Sequence, residues 1–431
     1  MPRKKKEEKP TVLSAADEIN GVLEQTDESA PVSVKLNSSA IKNTDFDIFA
    51  AHDLLNKANA VDGFKSMSEV AASYLPVPWM AMQYVIGRVG VPARSITEFI
   101  GQDNIGKSSL ILTLLGVFTM NNMPCLYINT EMKRFDDDWK VRLFNSNPEV
   151  GEKINSVIEF EWTESLDGVD ACINKFVRRK RDVEGVPKDV PIVIAVDSIS
   201  KAMNSEEKKA AGVGVDSAKK QKDVGVAAIS QKPGVTAKWH HNWVRLLGPL
   251  LIRDNVTILL TSAQNQDMDT SQSPFIPKSY YEKQNRTRPG GNALNQAAAV
   301  QFTMTERSRI KVGEEVVGKS ICLYGVKNGC GPSSREITYN ILFNSMSMLK
   351  TKDVPGKYLA PAVDMDAALC NLLVKEGVFG LTLSGEKYTS EELEVYKAKA
   401  STVVREINAS PANILKVAKA LGIQGYEETT A

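Results

Sequence analysis

The sequence predicts an α/β protein with a mostly parallel central sheet, an N-terminal helical arm and a small, mainly helical C-terminal domain. Between about residues 72 and 345, short apolar runs alternate with longer segments of helical pattern; the runs include SITEFIG, CLYINTE, PIVIAVDS and VTILLTSAQ. Runs that are apolar at every position are typical of strands buried on both faces. Their alternation with helices is typical of a parallel sheet that is covered by helices on both sides.

The chain divides into four predicted parts. Their boundaries, in chain order, are 1–35, 36–71, 72–345 and 346–431. The first part is an arm with a charged tip and a polar linker, TDESAP. The second is a helical lead-in, because the pattern DIFAAHDLLNKANAV places apolar side chains on one helical face. The third is the core, and the fourth is the C-terminal domain.

The later segments complete the predicted elements. Three strand candidates follow VTILLTSAQ and predict a hairpin-rich extension of the sheet; they are AVQFTMTER, KSICLYGVK and REITYNILF. In the C-terminal domain, Gly, Ser and Asn residues separate three segments of helical pattern, which are DMDAALCNLLVKEG, SEELEVYKAKASTVVREIN and SPANILKVAKALG.

Composition limits the partners and the compartment. The 431 residues carry a formal net charge of +1, so a DNA-binding surface requires local clusters of Lys and Arg. The five cysteines form no CxxC pair and the chain has three histidines, which argues against a zinc site or a disulfide framework and indicates a reducing cytoplasm, that of the host cell if a phage encodes the chain. No uncharged apolar run reaches about 18 residues, so we expect no membrane partner.

A phosphate-binding loop is the strongest motif. The run from Gly101 to Ser108 matches G-x-x-x-x-G-K-[ST] and lies between a predicted strand and a predicted helix. In such a loop, backbone N–H groups surround the phosphates, Lys107 reaches the β- and γ-phosphates and Ser108 binds Mg²⁺. The predicted nucleotide-binding residues of the loop are Gly101, Asp103, Asn104, Ile105, Gly106, Lys107, Ser108 and Ser109.

Several residues beyond the loop are candidates for the same site. Asp197 ends the run PIVIAVDS, where its carboxylate can hold the shell of a magnesium ion through water, although a helix cap is the alternative. Glu131 ends the run CLYINTE, where it can polarise the attacking water or serve only as an N-cap or an exposed acid. Asp136 and Trp139 are three residues apart, so they can contact adenine together. Equally, the first of these belongs to a group of acids at a helix N-terminus.

These residues together resemble the RecA recombinase family, including its bacterial and phage members. The stretch VPARSITEFIGQDNIGKSSL resembles the strand, loop and helix of that family, and INTE, VDS, TSAQ and PGGNAL follow in the family's order. PGGNAL is the discriminating element, because other ATPases with a similar core do not normally carry it. The resemblance covers about residues 72–345, with a weaker similarity in the C-terminal helices.

The resemblance implies a RecA-like P-loop ATPase core that uses ATP and Mg²⁺. It makes Lys107 and Ser108 the phosphate and magnesium residues, Asp197 the Walker B acid and Glu131 the general base. It also makes Gln264 the switch residue whose amide senses the γ-phosphate, which an amide can do without adding charge. A capped strand end is the alternative for that glutamine.

The resemblance also implies two DNA-binding loops. The second loop spans 265–291 and combines basic residues with aromatic ones, which suits phosphate contact and base stacking, although a mobile surface loop is the alternative. Its candidate DNA-binding residues are Phe275, Lys278, Lys283, Arg286, Arg288, Gly290 and Gly291. The first loop lies between Ser200 and Trp239, and Arg245 is a candidate phosphate contact on the helix that follows it.

One element departs from the family. Its bacterial members carry Lys-Asn-Lys, whose lysines reach the ATP of the neighbouring subunit, whereas this chain has Lys327-Asn328-Gly329. The first lysine is a catalytic candidate and the second is absent. We therefore expect either weaker hydrolysis or a basic residue elsewhere that replaces the missing charge.

The function implied is homologous recombination. ATP bound between subunits would support a head-to-tail helical filament of this chain on single-stranded DNA, which then pairs with homologous double-stranded DNA. Lysines of the C-terminal domain, Lys397, Lys399, Lys416 and Lys419, are candidates for gathering the duplex. Two alternatives remain open: a ring-forming DNA helicase with the same core, and a filament protein that coats single-stranded DNA and scarcely hydrolyses ATP.

Overall fold

The computed structural model of the chain describes seven stretches of residues, which are 73–131, 137–144, 148–202, 235–263, 293–312, 314–343 and 362–426. The predicted arm and the predicted helical lead-in lie outside these stretches. No helix within them combines the length and the apolar character that crossing a membrane requires.

The described strands fall into three sheets. In chain order they are β1 (Tyr74–Pro76), β2 (Gly90–Pro92), β3 (Ile96–Gly101), β4 (Cys125–Asn129), β5 (Glu159–Trp162), β6 (Ile192–Asp197), β7 (Val256–Ala263), β8 (Ala298–Val312), β9 (Glu315–Asn328), β10 (Glu336–Leu342), β11 (Val363–Asp364), β12 (Thr382–Ser384), β13 (Lys387–Ser390) and β14 (Val395–Ala398). A large sheet contains β3 to β11, and two small sheets contain β1–β2 and β12–β14.

Helices connect and cover these strands. They are α1 (Met80–Ile86), α2 (Lys107–Met120), α3 (Asp137–Phe144), α4 (Pro148–Val157), α5 (Leu166–Arg178), α6 (Val235–Arg253), α7 (Ala293–Ala297), α8 (Asp366–Lys375), α9 (Ala400–Asn408) and α10 (Pro411–Leu421). A π-helical turn, Arg179–Val183, follows α5, and a 3₁₀ turn, Val378–Gly380, follows α8.

The large sheet is mostly parallel, as the sequence predicts. Its nine strands lie in the order β11-β10-β9-β8-β3-β7-β6-β4-β5. From β8 to β5 in this order, all neighbouring strands are parallel. From β8 to β11, all neighbouring strands are antiparallel. The three late strand candidates form β8, β9 and β10, so the predicted hairpin extension of the sheet is confirmed.

Both faces of the large sheet are covered. On one face, α2 is apolar nearly all round and is buried accordingly; its fully buried residues include Leu110, Ile111, Leu112, Leu114, Leu115 and Phe118. On the other face, α5 and α6 pack against the strands, with Trp243 of α6 among the largest buried side chains. Because α2 follows β3 directly, the short loop between them lies at the carboxyl edge of the parallel strands.

The C-terminal residues contain a sheet that the sequence does not predict. The segment SEELEVYKAKASTVVREIN is helical only from Ala400, and its first half forms a turn and β14. The hydroxyl of Ser390 donates to Phe379 O and accepts from Leu393 N, so it caps a single turn. Glu394 and Lys397 also have φ values of 54° and 49°, which a right-handed helix excludes. The described helices α8, α9 and α10 nevertheless hold more residues than β12, β13 and β14.

Candidate nucleotide-binding site

The predicted phosphate-binding loop joins the end of β3 to the start of α2. Two residues in it have left-handed backbone, Asn104 with φ of 59° and Gly106 with φ of 95°. A Cβ at Gly106 would lie 2.2 Å from Ile341 Cδ1, so both the backbone conformation and the lack of space require glycine at that position. The sequence pattern thus gives a tight loop whose N–H groups precede a helix N-terminus.

Lys107 is held beneath this loop. Only 5% of the residue is exposed, and its Nζ donates to Gly101 O at 2.8 Å and to Gln102 O at 2.7 Å. Its ammonium group therefore lies at the N-terminal end of α2, where the field of the helix also favours an anion. This is the placement that phosphate binding requires.

A cavity of about 360 Å³ opens beside the loop. One side consists of loop residues from Asn104 to Ser109, and the other consists of Trp139, Lys319, Ile341 and Phe343. Trp139 lies on α3, is half-buried and lines the cavity beside the loop. Backbone amides and a lysine on one side, with aromatic and aliphatic side chains on the other, suit a phosphorylated ligand with a flat base.

Lys319 is a cation that the sequence reasoning missed. It lies on β9, and its Nζ is 3.1 Å from Asn104 O in the loop and 2.7 Å from Glu306 Oε2. This hydrogen bond from Lys319 lowers the pKa of the Glu306 carboxyl. Lys319 therefore ties the loop to the β8–β9 hairpin and brings a second positive charge to the cavity.

Asp197 ends β6 and is 2% exposed. Both of its carboxylate oxygens accept hydrogen bonds from buried hydroxyls: Tyr127 Oη donates to Oδ2 at 2.5 Å, and Thr261 Oγ1 donates to Oδ1. Burial raises the pKa of Tyr127 well above its usual value, and the charge of Asp197 raises it further. The phenol therefore stays a neutral donor to the carboxylate.

The donor set fits magnesium. Ser108, in the first turn of α2, is near enough to Tyr127 to lower the pKa of its phenol, and Tyr127 donates to Asp197. Hydroxyl and carboxylate oxygens are the ligands that Mg²⁺ prefers, commonly with several waters retained. Ser108 would hold the ion directly, and Asp197 would hold its bound water.

Glu131 lies directly after β4, at the same edge of the sheet. Its N–H donates to Asn129 Oδ1 at 3.0 Å, and Asn129 is in register with Asp197 on the neighbouring strand. Glu131 is half-buried, and its charge acts on Tyr127. The structure therefore brings together the two carboxylates and the loop that the sequence predicted as one site.

The remaining described candidates lie around this site or away from it. Asp103 is exposed and pairs with Lys201, whose Nζ is 3.1 Å from Asp103 Oδ2. Lys327 donates from Nζ to the carbonyls of Asn295 at 2.7 Å and Gln296 at 3.0 Å, and it does not line the cavity. Arg245 is exposed on α6 and does not line the cavity either.

The other predicted site residues lie outside the described stretches. They are Asp136, Gln264, Phe275, Lys278, Lys283, Arg286, Arg288, Gly290 and Gly291.

Comparison with known proteins gives relatives that share one name. RecA of Thermus aquaticus is 22% identical over 355 residues, which cover 80% of this chain and 85% of the relative. RecA of Thermus thermophilus is 24% identical over 356 residues, with the same two coverages. A mitochondrial DNA repair protein, a recA homolog of Dictyostelium discoideum, is 19% identical over 340 residues, which cover 77% of this chain and 60% of the relative.

No protein-family model matches the sequence. The relatives nevertheless extend over about four fifths of the chain, far beyond the phosphate-binding loop alone. Over that length the chain is similar to proteins named RecA.

Proposed function

We propose that this chain is an ATP-dependent recombinase, which forms filaments on single-stranded DNA and catalyses homologous pairing and strand exchange. The observation that carries the proposal is the nearness of the phosphate-binding loop to the buried acid of β6: Tyr127 donates to Asp197, and Ser108 of the loop is near enough to lower the pKa of Tyr127. The similarity to relatives named RecA covers 80% of this chain. The nucleotide and the DNA would be its two classes of ligand.

The site residues divide the work of ATP hydrolysis. The loop N–H groups and Lys107 bind the triphosphate and offset its charge. Ser108 and Asp197 would hold Mg²⁺, which would supply further positive charge against the triphosphate. Glu131, half-buried at the end of β4, accepts the proton of the attacking water or orients that water. Trp139 and Phe343 enclose the base in the cavity.

The ends of β6 and β7 offer a route from ATP to DNA. Ile199 N donates to Thr261 O at 3.0 Å, and Ala263 N donates to Ser200 Oγ at 2.8 Å. These bonds join the two strands shortly before the segments that hold the proposed DNA loops. On the other side, Lys201 pairs with Asp103 of the phosphate-binding loop. A change at the γ-phosphate can therefore reach both segments, and we assign the switch role to Gln264, which follows Ala263 directly.

The proposed DNA contacts are mostly electrostatic. Lys278, Lys283, Arg286 and Arg288 would contact phosphates, with Arg245 on α6 as a further contact, and Phe275 would stack on or wedge between bases. Because base pairing between the strands identifies homology, the protein requires only contacts with the backbone and the base faces. The lysines of the C-terminal domain would bind double-stranded DNA.

Assembly of the filament would place ATP between subunits. In this arrangement Lys327 would act on the neighbouring copy, because it does not line the cavity of its own chain. A head-to-tail contact that does not close produces a helix, so ATP would both strengthen the filament and increase its grip on DNA.

The direct test measures strand exchange and duplex unwinding by the same purified chain. The purified chain is incubated with ATP, Mg²⁺, single-stranded DNA and a homologous duplex, and joint molecules are measured next to unwinding of a forked duplex. We expect joint molecules, phosphate release stimulated by single-stranded DNA, and helical filaments in electron micrographs with a non-hydrolysable ATP analogue. Unwinding without joint molecules, together with closed rings, would indicate the helicase. Filaments without DNA-stimulated phosphate release would indicate the coat protein.

A further inference from the structure

We propose that Tyr127 is a positioning residue for magnesium: its hydroxyl fixes the orientation of the Asp197 carboxylate. The inference rests on the proposed function, because it concerns the same nucleotide site. Tyr127 lies on a strand and belongs to no sequence motif. In this proposal it controls how strongly the site responds to Mg²⁺.

The placement of Tyr127 is the first observation. It lies on β4, is 1% exposed and donates from Oη to Asp197 Oδ2 at 2.5 Å. Ser108 of the loop is near enough to lower the pKa of the same phenol. The phenol therefore lies beside the loop and holds the acid of β6.

The donor in the bond between Tyr127 and Asp197 can be assigned. A carboxylate only accepts hydrogen bonds, and a phenol has a single hydrogen, so that hydrogen goes from Tyr127 to Asp197. This bond fixes one of the two carboxylate oxygens.

Asp197 is fixed from its other side as well. Thr261 on β7 donates to Oδ1 while Tyr127 donates to Oδ2, so the carboxylate cannot rotate without breaking a buried hydrogen bond. Each oxygen keeps further acceptor capacity. The two oxygens are therefore held ready to accept from water on the metal, as partners of a metal's inner ligands commonly are.

Packing alone does not explain the hydroxyl. The ring of Tyr127 packs against Phe160, with ring centroids 5.7 Å apart, and a phenylalanine ring would fill the same space. Tyr339 offers a matched comparison, because it is also 1% exposed and its hydroxyl has no hydrogen-bond partner in the described structure. Removal of the two hydroxyls therefore separates positioning of the metal site from burial of a phenol.

The test compares Tyr127→Phe and Tyr339→Phe in the full chain. ADP binding is followed by the fluorescence of a labelled ADP analogue, once in a titration with Mg²⁺ and once in EDTA. For Tyr127→Phe we expect the Mg²⁺ concentration at half-effect to rise by about tenfold, the size of one lost hydrogen bond to a charged group, while the affinity in EDTA is unchanged. Tyr339→Phe should match the wild type in both measurements.

Further variants keep the outcome decisive. Thr261→Val removes the other donor to Asp197 and should shift the Mg²⁺ response in the same direction. This variant replaces Tyr127→Phe in the test if Tyr127→Phe does not fold. Combined with Thr261→Val, Tyr127→Phe should have a non-additive effect, because both residues donate to the same carboxylate.

Two results would overturn the inference: an unchanged Mg²⁺ response in both donor variants, or an equal loss of affinity with Mg²⁺ and in EDTA. A wild-type protein that binds no nucleotide at all would instead contradict the proposed function.

Discussion

Gln301 Nε2 lies 2.8 Å from Glu98 Oε2 in the interior of the large sheet. Glu98 is 0% exposed, and its other oxygen, Oε1, accepts from Ser262 Oγ at 2.7 Å. The three residues lie on neighbouring strands, β8, β3 and β7. A buried carboxylate is tolerated there because both oxygens are paired, and it lies on the strand that leads into the phosphate-binding loop.

Gln301→Leu should destabilise the protein. The change removes the hydrogen bond from Gln301 to Glu98 Oε2 inside the sheet, and the loss of such a bond costs about 1 kcal/mol. Chemical denaturation measures the free energy of unfolding. Gln296→Leu is the matched control, because Gln296 is exposed on α7 and should change that free energy by no more than about 0.5 kcal/mol. Equal stability of the two variants would contradict the prediction.

Lys107→Ala should abolish ATP hydrolysis and ATP-dependent assembly. Its ammonium is the buried cation at the start of α2, and the loss of one preorganised group that stabilises charge reduces turnover by about 100-fold or more. Phosphate release with single-stranded DNA and light scattering with ATP are the measurements. Lys175→Ala, an exposed position on α5, is the control. Wild-type turnover in Lys107→Ala would mean that the loop is not the active site.

The core strands could be predicted because each is buried on both faces and mostly apolar. The four strands β3, β4, β6 and β7 fall on runs that the sequence displays directly, and the loop motif follows the first of them. The small sheet β12–β14 could not be predicted in the same way. Glu394 and Lys397 are compatible with a helix in sequence, and only their left-handed backbone and the bonds of Ser390 show otherwise.

Residues of the candidate site could be predicted only where a motif or an apolar run in the sequence contains them. Lys107 and Ser108 belong to the loop pattern, and Asp197 ends an apolar run. Lys319 and Phe343, by contrast, come from the antiparallel extension, and they reach the loop because β8 lies beside β3 and carries β9 and β10 behind it. No local pattern encodes that strand order. The predicted site residues outside the described stretches stay predictions.

Lys319→Met should weaken nucleotide binding while the fold is retained. The ion pair with Glu306 is largely at the surface and contributes little to stability, but the same ammonium donates to Asn104 O and adds positive charge to the cavity. We expect the Kd for ADP with Mg²⁺ to rise by about tenfold, which is about 1.4 kcal/mol.

The same fluorescence titration measures this change. Lys311→Met is the matched control, because Lys311 is an exposed lysine of the same hairpin that does not line the cavity. A Kd for Lys319→Met equal to that of the control would show that Lys319 supports neither the loop nor the ligand. It would also exclude Lys319 as the cation that replaces the lysine missing at Gly329.

Stability should fall as the pH rises from about 4 to about 7 because of Asp366 at the start of α8. Burial, and next the charge of Asp364, raise the pKa of Asp366 from 3.8 to about 7. Over this window the folded state binds more protons than the unfolded state, so raising the pH favours unfolding. Each pKa unit corresponds to about 1.4 kcal/mol, and the partial exposure of this carboxyl reduces the expected loss to about 2 kcal/mol.

Asp366→Asn should remove this part of the pH dependence, because the amide imitates the protonated acid and cannot titrate. The free energy of unfolding is measured by denaturant at a series of pH values, and the difference between variant and wild type isolates Asp366 from all other titrating groups. That difference should grow as the pH rises and level off above about 7, since a carboxyl with a raised pKa is fully ionised there. Glu376→Gln, at an exposed acid just after α8, should give a difference near zero throughout. A flat difference for Asp366→Asn would mean that solvent or a cation reaches the Asp364–Asp366 pair and stabilises both charges.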